Sequence, residues 1–203
     1  MKTLKQVLLI VWIICSGCQS VKEGETMPEV YSERTIIVYM SADNDLSADA
    51  IDDIEEMKKG YLDNGVNLVA FVDLARESPY LLEMTPGSGK IMKTYSEINS
   101  ASAARMQEVL MDIIELYPAR SYGLILWSHG TSWLPSNTSL RSFGKDHGSE
   151  MDIPDLSISL PVYFDFILFD ACLMGSVEVA YELKDNTGHE YIRGGRGVNM
   201  GFP

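Results

Sequence analysis

The chain is poor in cysteine, poor in basic charge, and has no long apolar run beyond its N-terminus. Each shortage excludes something. Three cysteines (Cys15, Cys18 and Cys172) cannot build a disulfide framework, and Cys172 alone lies in the body of the 203-residue chain. Three scattered histidines with no ligand spacing speak against a zinc site, so no metal ligands are assigned. Sixteen Lys and Arg stand against 29 Asp and Glu, a net charge of −13. Such a surface repels phosphate backbones, and no basic patch interleaved with aromatics occurs, so nucleic acid is excluded as a partner. The acidity suits basic peptides, and equally a plain solvated surface. No Gly-rich loop follows the first strand, where "YMSADND" stands instead, which weakens a flavodoxin-like nucleotide binder. No internal repeat is visible.

What the N-terminus does contain is the layout of an export signal. "MKTLKQ" carries two lysines, "VLLIVWII" is too short to span a bilayer as a helix, and "CSGC" follows. Ser16 and Gly17 before Cys18 resemble a bacterial lipobox, whose cysteine is lipidated after cleavage, although Cys15 occupies a place where Leu is usual. A plain signal peptide is the alternative. The expected organisation is a signal peptide over 1–17, a polar tether over 18–33 and one domain over 34–203. The protein is then an exported lipoprotein, periplasmic or cell-surface, held to the membrane through Cys18. Cys172 is its one free thiol.

With 46% hydrophobic residues the body can bury one sizeable core. "RTIIVYMSA", "VNLVAFVD", "SYGLILWSHG" and "YFDFILFDA" read as strands, and "YLLEM", "TPGSG" and "KIMKTY" as a hairpin. "LSADAIDDIEEMKKG" reads as a helix with Leu46, Ala50, Ile51, Ile54 and Met57 on one face, Ser47 as N-cap and Gly60 as stop. "SASAARMQEVLMDIIELYP" is the clearest helix, striped by Met106, Val109, Leu110, Ile113 and Ile114 and ended by Pro118. "SVEVAYELKD" is a short one. Residues 130–150 read as a long polar segment, and the tail offers at most two residues of strand pattern around Tyr191. Strands alternating with helices predict an α/β fold with a mostly parallel, doubly covered sheet.

In such sheets ligand sites gather beyond the carboxyl ends of the strands. Parallel order puts the ends of "LILWSHG" and "ILFDAC" on one edge, where His129 and Cys172 can meet. An imidazole beside a thiol raises the supply of nucleophile and returns a proton to a leaving amine. Gly130 lets its N–H approach a carbonyl closely. With the Cys172 N–H, at the start of the following helix, it would make an oxyanion hole, one such donor being worth on the order of 3 kcal/mol in the transition state. A structural cysteine and a satisfied polar histidine remain the plainer alternatives. His147 and His189, in Gly-flanked loops, are not catalytic candidates.

These residues sit in segments that resemble the clostripain family of cysteine peptidases, relatives of caspases, legumains and gingipains. "IIVYMSADNDLSADAIDDIEEM", "LILWSHGTSW" and "FDFILFDACLMGSVEVAYELKD" carry the likeness, with "RSFGKDHGSEMDIPDL" extending it over about residues 34–185. The resemblance implies a caspase-like three-layer α/β/α fold and peptide-bond hydrolysis by a Cys–His dyad. Cys172 would be the nucleophile, His129 the general acid and base, and Gly130 and Cys172 the oxyanion donors. Preference for Arg or Lys before the scissile bond is implied too, with Asp170 reading that charge; its alternative role is a structural cap on neighbouring amides. Self-cleavage in the His-to-Cys segment would fall after Arg141 or Lys145. No organic cofactor is implied. Calcium dependence occurs in the family, and "SADNDLSAD" is acid-rich, but its spacing is not that of an EF-hand and its acids read first as helix-start residues. Family chains continue past the region where this one ends, so a C-terminally incomplete domain is expected. The competing reading is an inactive member serving as a surface lipoprotein or binding module.

Overall fold

The apolar run from Ile36 to Met40 forms the heart of β1 (Arg34–Ala42), and its composition is explained by burial on both faces. Ile37 and Tyr39 enter one core and Val38, Met40 and Ala42 the other, so a central parallel strand needs a continuous apolar run instead of an alternating one. The computed structural model describes residues 32–131, 142–188 and 190–193. After β1 come α1 (Ser47–Gly60), β2 (Val66–Leu74), the hairpin β3 (Tyr80–Thr85) and β4 (Ser88–Thr94), α2 (Ala103–Leu116) and β5 (Tyr122–Trp127). Then follow β6 (Ser142–Asp146), β7 (Ser149–Asp152), α3 (Ile153–Ser159), β8 (Phe166–Asp170), α4 (Val177–Leu183) and β9 (Glu190–Arg193).

The main sheet has the order β4-β3-β2-β1-β5-β8-β9. The five strands from β2 to β9 run parallel, and β3 and β4 add an antiparallel edge. Helix α1 covers one face through Ala50 and Ile54, while α2, α3 and α4 cover the other. The result is the expected three-layer α/β/α architecture. On α2, Met106, Val109, Leu110 and Ile113 are fully buried against Tyr39 and Phe71, whose rings stack at 4.7 Å. Each such side chain contributes about 1.5–3 kcal/mol by leaving water. The helix stops at Leu116 with Tyr117 as its cap, just ahead of Pro118. No helix of the described residues is long and apolar enough to cross a membrane.

Several expectations need correction. Ser47 is the first residue of α1 and not its N-cap; its hydroxyl instead donates to the Ala42 carbonyl and accepts from the Ala75 N–H, tying together the ends of β1 and β2. Ile51 is 47% exposed, because the narrow contact of α1 with the sheet is satisfied by Ala50 and Ile54. Part of the supposed polar segment folds as the β6–β7 hairpin. His147 (φ 45°) and Gly148 (φ 84°) occupy its two central positions, as a two-residue turn with the twist of a hairpin demands. The short α3 was not foreseen. The tail strand is longer than the two residues predicted: β9 has four, in parallel register with β8.

Candidate active site

Strands β5 and β8 are paired so that Trp127 stands opposite Asp170. His129 and Cys172 each lie two residues beyond that pair, on the same edge of the sheet. The Ser128 N–H reaches the Asp170 carbonyl at 3.4 Å, and the Ser128 hydroxyl donates to the Ser41 carbonyl at 2.6 Å, so the ends of β1, β5 and β8 are laced together. Beyond His129 the backbone is clamped by β6: the Gly144 N–H donates to the His129 carbonyl, the Thr131 N–H to the Ser142 carbonyl, both at 3.0 Å, and Gly130 bridges to Phe143.

At Gly130 the two strand ends lie close together. A Cβ at this position would lie 2.6 Å from the Cys172 carbonyl oxygen and 2.8 Å from the Met174 side chain, so only glycine fits. Cys172 is exposed and its thiol unpaired. It does not start a helix, as had been expected. It sits in a turn five residues ahead of α4, whose N-cap Ser176 accepts from the Val179 N–H. The following Leu173 takes φ 60°, a left-handed conformation costing a branched side chain about 1–2 kcal/mol. This sharp reversal lets the strand end present the thiol instead of burying it.

The imidazole of His129 is held by a residue the sequence reading did not single out. Its Nε2 lies 3.0 Å from Asp45 Oδ1 in the loop between β1 and α1, with the ring about one-third exposed and Asp45 largely exposed. The bond from His129 chiefly, with the Asp45 backbone and the His129 charge, lowers the Asp45 carboxyl below its ordinary range. The available signal was topological, since β1 neighbours β5 in parallel and its end shares the edge. Asp170 closes β8 and is half-buried. Lys145 lies within β6, and its carbonyl accepts from Asn44 Nδ2 at 2.7 Å. Arg141, Cys18 and His189 lie outside the described residues.

A second group of acids flanks this edge. Asp43, Asp73, Glu97 and Asp146 converge with His147 near the ends of β1 and β2. His147 Nδ1 lies 2.8 Å from Asp146 Oδ1 and 3.0 Å from Asp43 Oδ2, and these partners, the bond to Asp146 first, raise its pKa. Asp73 is fully buried and raised to about 7, by desolvation first; the Ser100 hydroxyl opposes this, and Asp146, Glu97 and Asp43 add to it. The sequence carries the cue in "FVD", an apolar strand ending in an acid, just as "LFD" does at Asp170. A surface concavity of about 650 Å³ between α2 and Pro161–Val162 includes none of these groups.

Comparison with known proteins agrees with this architecture. The secreted C11 cysteine protease of Bacteroides thetaiotaomicron, solved with an irreversible peptide inhibitor, superposes with a TM-score of 0.69 at 38% identity, over 80% of this chain and 48% of that one. The inactive zymogen C11 protease of Parabacteroides distasonis gives 0.67 at 34% identity, over 82% and 49%. Clostripain of Hathewaya histolytica is 32% identical over 76% of this chain and 36% of its own length. The chain therefore spans about half the length of these solved relatives and about a third of the curated one. The clostripain family profile covers residues 38–194, and with that coverage the chain belongs to the clostripain family.

Proposed function

We propose that this protein is a cysteine endopeptidase that cuts after Arg or Lys, with Cys172 as nucleophile and His129 as acid and base. The observation that carries the reading is the meeting of two strand ends: the Gly130 backbone packs on Cys172, and the neighbouring His129 ring is oriented by Asp45. A carboxylate on Nε2 favours the tautomer with hydrogen there, which leaves Nδ1 as the base. Nδ1 takes the Cys172 proton, and Sγ attacks the scissile carbonyl carbon. The C=O pair moves onto oxygen, facing the Gly130 and Cys172 amides. As the C–N bond breaks, Nδ1 returns the proton to the amine, giving a thioester. Water, deprotonated by Nδ1, then hydrolyses the thioester and restores the thiol. Asp170 supplies the charge that a guanidinium or ammonium would meet, and the net charge of −13 favours basic substrates generally.

The Parabacteroides distasonis relative was solved as an inactive zymogen. A processing step is proposed here after Arg141, because the peptide following Lys145 is engaged in β6 and Asp146 is buried. Export follows the secreted relative, with acylation of Cys18 as the proposed anchor; incorporation of labelled palmitate, lost in Cys18→Ala, is its test.

The activity is tested by hydrolysis of an Arg-terminated fluorogenic peptide by the full chain, before and after nicking with trypsin. Turnover that disappears in Cys172→Ala supports the peptidase. A folded chain that is silent in both states would overturn it in favour of a binding module.

A further inference from the structure

Residues 129–131, β6 and β7 lie side by side as antiparallel segments with β6 in the middle. Gly130 stands opposite Phe143, and the hydrogen bonds fall on the two flanking pairs. The Thr131 N–H donates to the Ser142 carbonyl, and the Gly144 N–H to the His129 carbonyl. In an antiparallel ladder the residue between two such pairs turns its own N–H and carbonyl away from the partner strand. The Gly130 N–H is therefore turned away from β6 and unengaged among the described residues, as an oxyanion donor must be.

A line of side chains holds this register. Phe143 and Met151 point into the core, so their neighbours Ser142 and Glu150 share the opposite face. Ser142 pairs with Asp152, which puts exposed Glu150 on the diagonal. Ser142 is only 2% exposed, and its hydroxyl donates to Glu150 Oε2. A carboxylate can only accept, so that bond fixes every other direction. The Ser142 oxygen must accept from the Thr131 hydroxyl, 2.9 Å away, and Thr131 Oγ1 accepts the Ser142 N–H at 3.1 Å. One carboxylate on β7 thereby orients the contact that closes the ladder beside Gly130.

We propose that Glu150 is a positioning residue for the Gly130 oxyanion donor, acting through Ser142 and Thr131. The inference rests on the proposed peptidase reading and gives Glu150 no contact with substrate. Without the carboxylate the two hydroxyls have no fixed direction, and the pair beside Gly130 keeps one backbone bond of settled geometry. The loss falls on the step in which charge develops on the carbonyl oxygen, and not on substrate binding.

The test compares two ways of modifying Cys172. A peptide ending in arginine aldehyde takes Sγ at its carbonyl carbon and forms an oxyanion, whereas iodoacetamide loses iodide to Sγ and forms none. In the full chain, intact or trypsin-nicked, Glu150→Ala should lower kcat on the Arg peptide about tenfold, a fraction of the roughly 10²–10³ lost with a whole donor. Affinity for the aldehyde should fall by a similar factor. KM and the rate of iodoacetamide alkylation should stay within about twofold of the parent. Glu150→Gln, whose amide oxygen still accepts from Ser142, should recover most of the loss. Ser142→Ala combined with Glu150→Ala should be no worse than either alone, since both act along one line of bonds. A parent-like kcat and aldehyde affinity in Glu150→Ala would overturn the positioning role and leave the peptidase reading standing; so would a loss matched in iodoacetamide alkylation. A parent that iodoacetamide alkylates, but that neither turns over the peptide nor binds the aldehyde, would overturn both.

Discussion

Gly130 and Asp45 show how much of the candidate site rests on single positions. A methyl group at Gly130 would meet the Cys172 carbonyl oxygen at 2.6 Å, and neither strand end can retreat, since β5 and β8 are fixed by their pairing. Gly130→Ala should therefore leave the far-ultraviolet dichroism unchanged and reduce kcat/KM at least about 100-fold, the scale of a 1 Å misplacement of a reacting group. Among the described residues Asp45 is bonded to the His129 ring, and it is largely exposed. Asp45→Ala should lower kcat about five- to tenfold with KM unchanged, which steady-state kinetics on the Arg peptide would separate from a binding defect. A larger effect on KM than on kcat would assign Asp45 to substrate contact instead.

At the level of elements, the β6–β7 hairpin links the site to the core. Its strand β6 lies along the residues after His129, its turn delivers His147 to the acids, and its Phe143 is fully buried with an edge-on contact to Phe169 at 6.0 Å. Phe143→Ala leaves a cavity beneath both strand ends. It should cost about 3–5 kcal/mol in urea unfolding, with the site disordered before global unfolding is reached. Denaturation coinciding with loss of Cys172 reactivity would show that the hairpin and the site unfold as one unit. The ion pair of Arg34 and Asp165, 2.7 Å long but about 42% exposed on each side, adds at most about 1 kcal/mol between β1 and the entry to β8.

Over the whole molecule, the dominant long-range property is charge. A net charge of −13 attracts cationic peptides from beyond contact range, and salt screens this over about 10 Å at 0.1 M. For an Arg peptide, kcat/KM should fall several-fold as ionic strength rises from about 0.01 to 0.15 M, and hydrolysis of a neutral peptide should not. Stopped-assay kinetics across a salt series would check this; equal slopes for both peptides would remove any role for the acidic surface. The described residues hold both strand ends, and the region they match is about half of each solved relative and about a third of the curated one.

Much of this was legible in the sequence, and the division follows interaction range. Continuous apolar runs marked β1, β2, β5 and β8 because parallel strands buried on both faces have no polar alternation to show. The stripe on α2 and the stop near Pro118 are likewise local matters of period and backbone sterics. The edge shared by His129 and Cys172 followed from parallel order, while the direct pairing of β5 with β8 is given by the sheet. The "DHG" turn is only weakly marked in the sequence, because His at a positive φ is a weaker cue than Asn or Asp. What the chain's order does not carry is contact across segments. Asp45 on His129, Cys172 in a turn ahead of its helix, and a buried Asp73 facing Asp43 and Glu97 arise only once the strands lie side by side. Local propensity sets which residues are extended or helical, but burial and the meeting of charges depend on distances that only the packed sheet supplies.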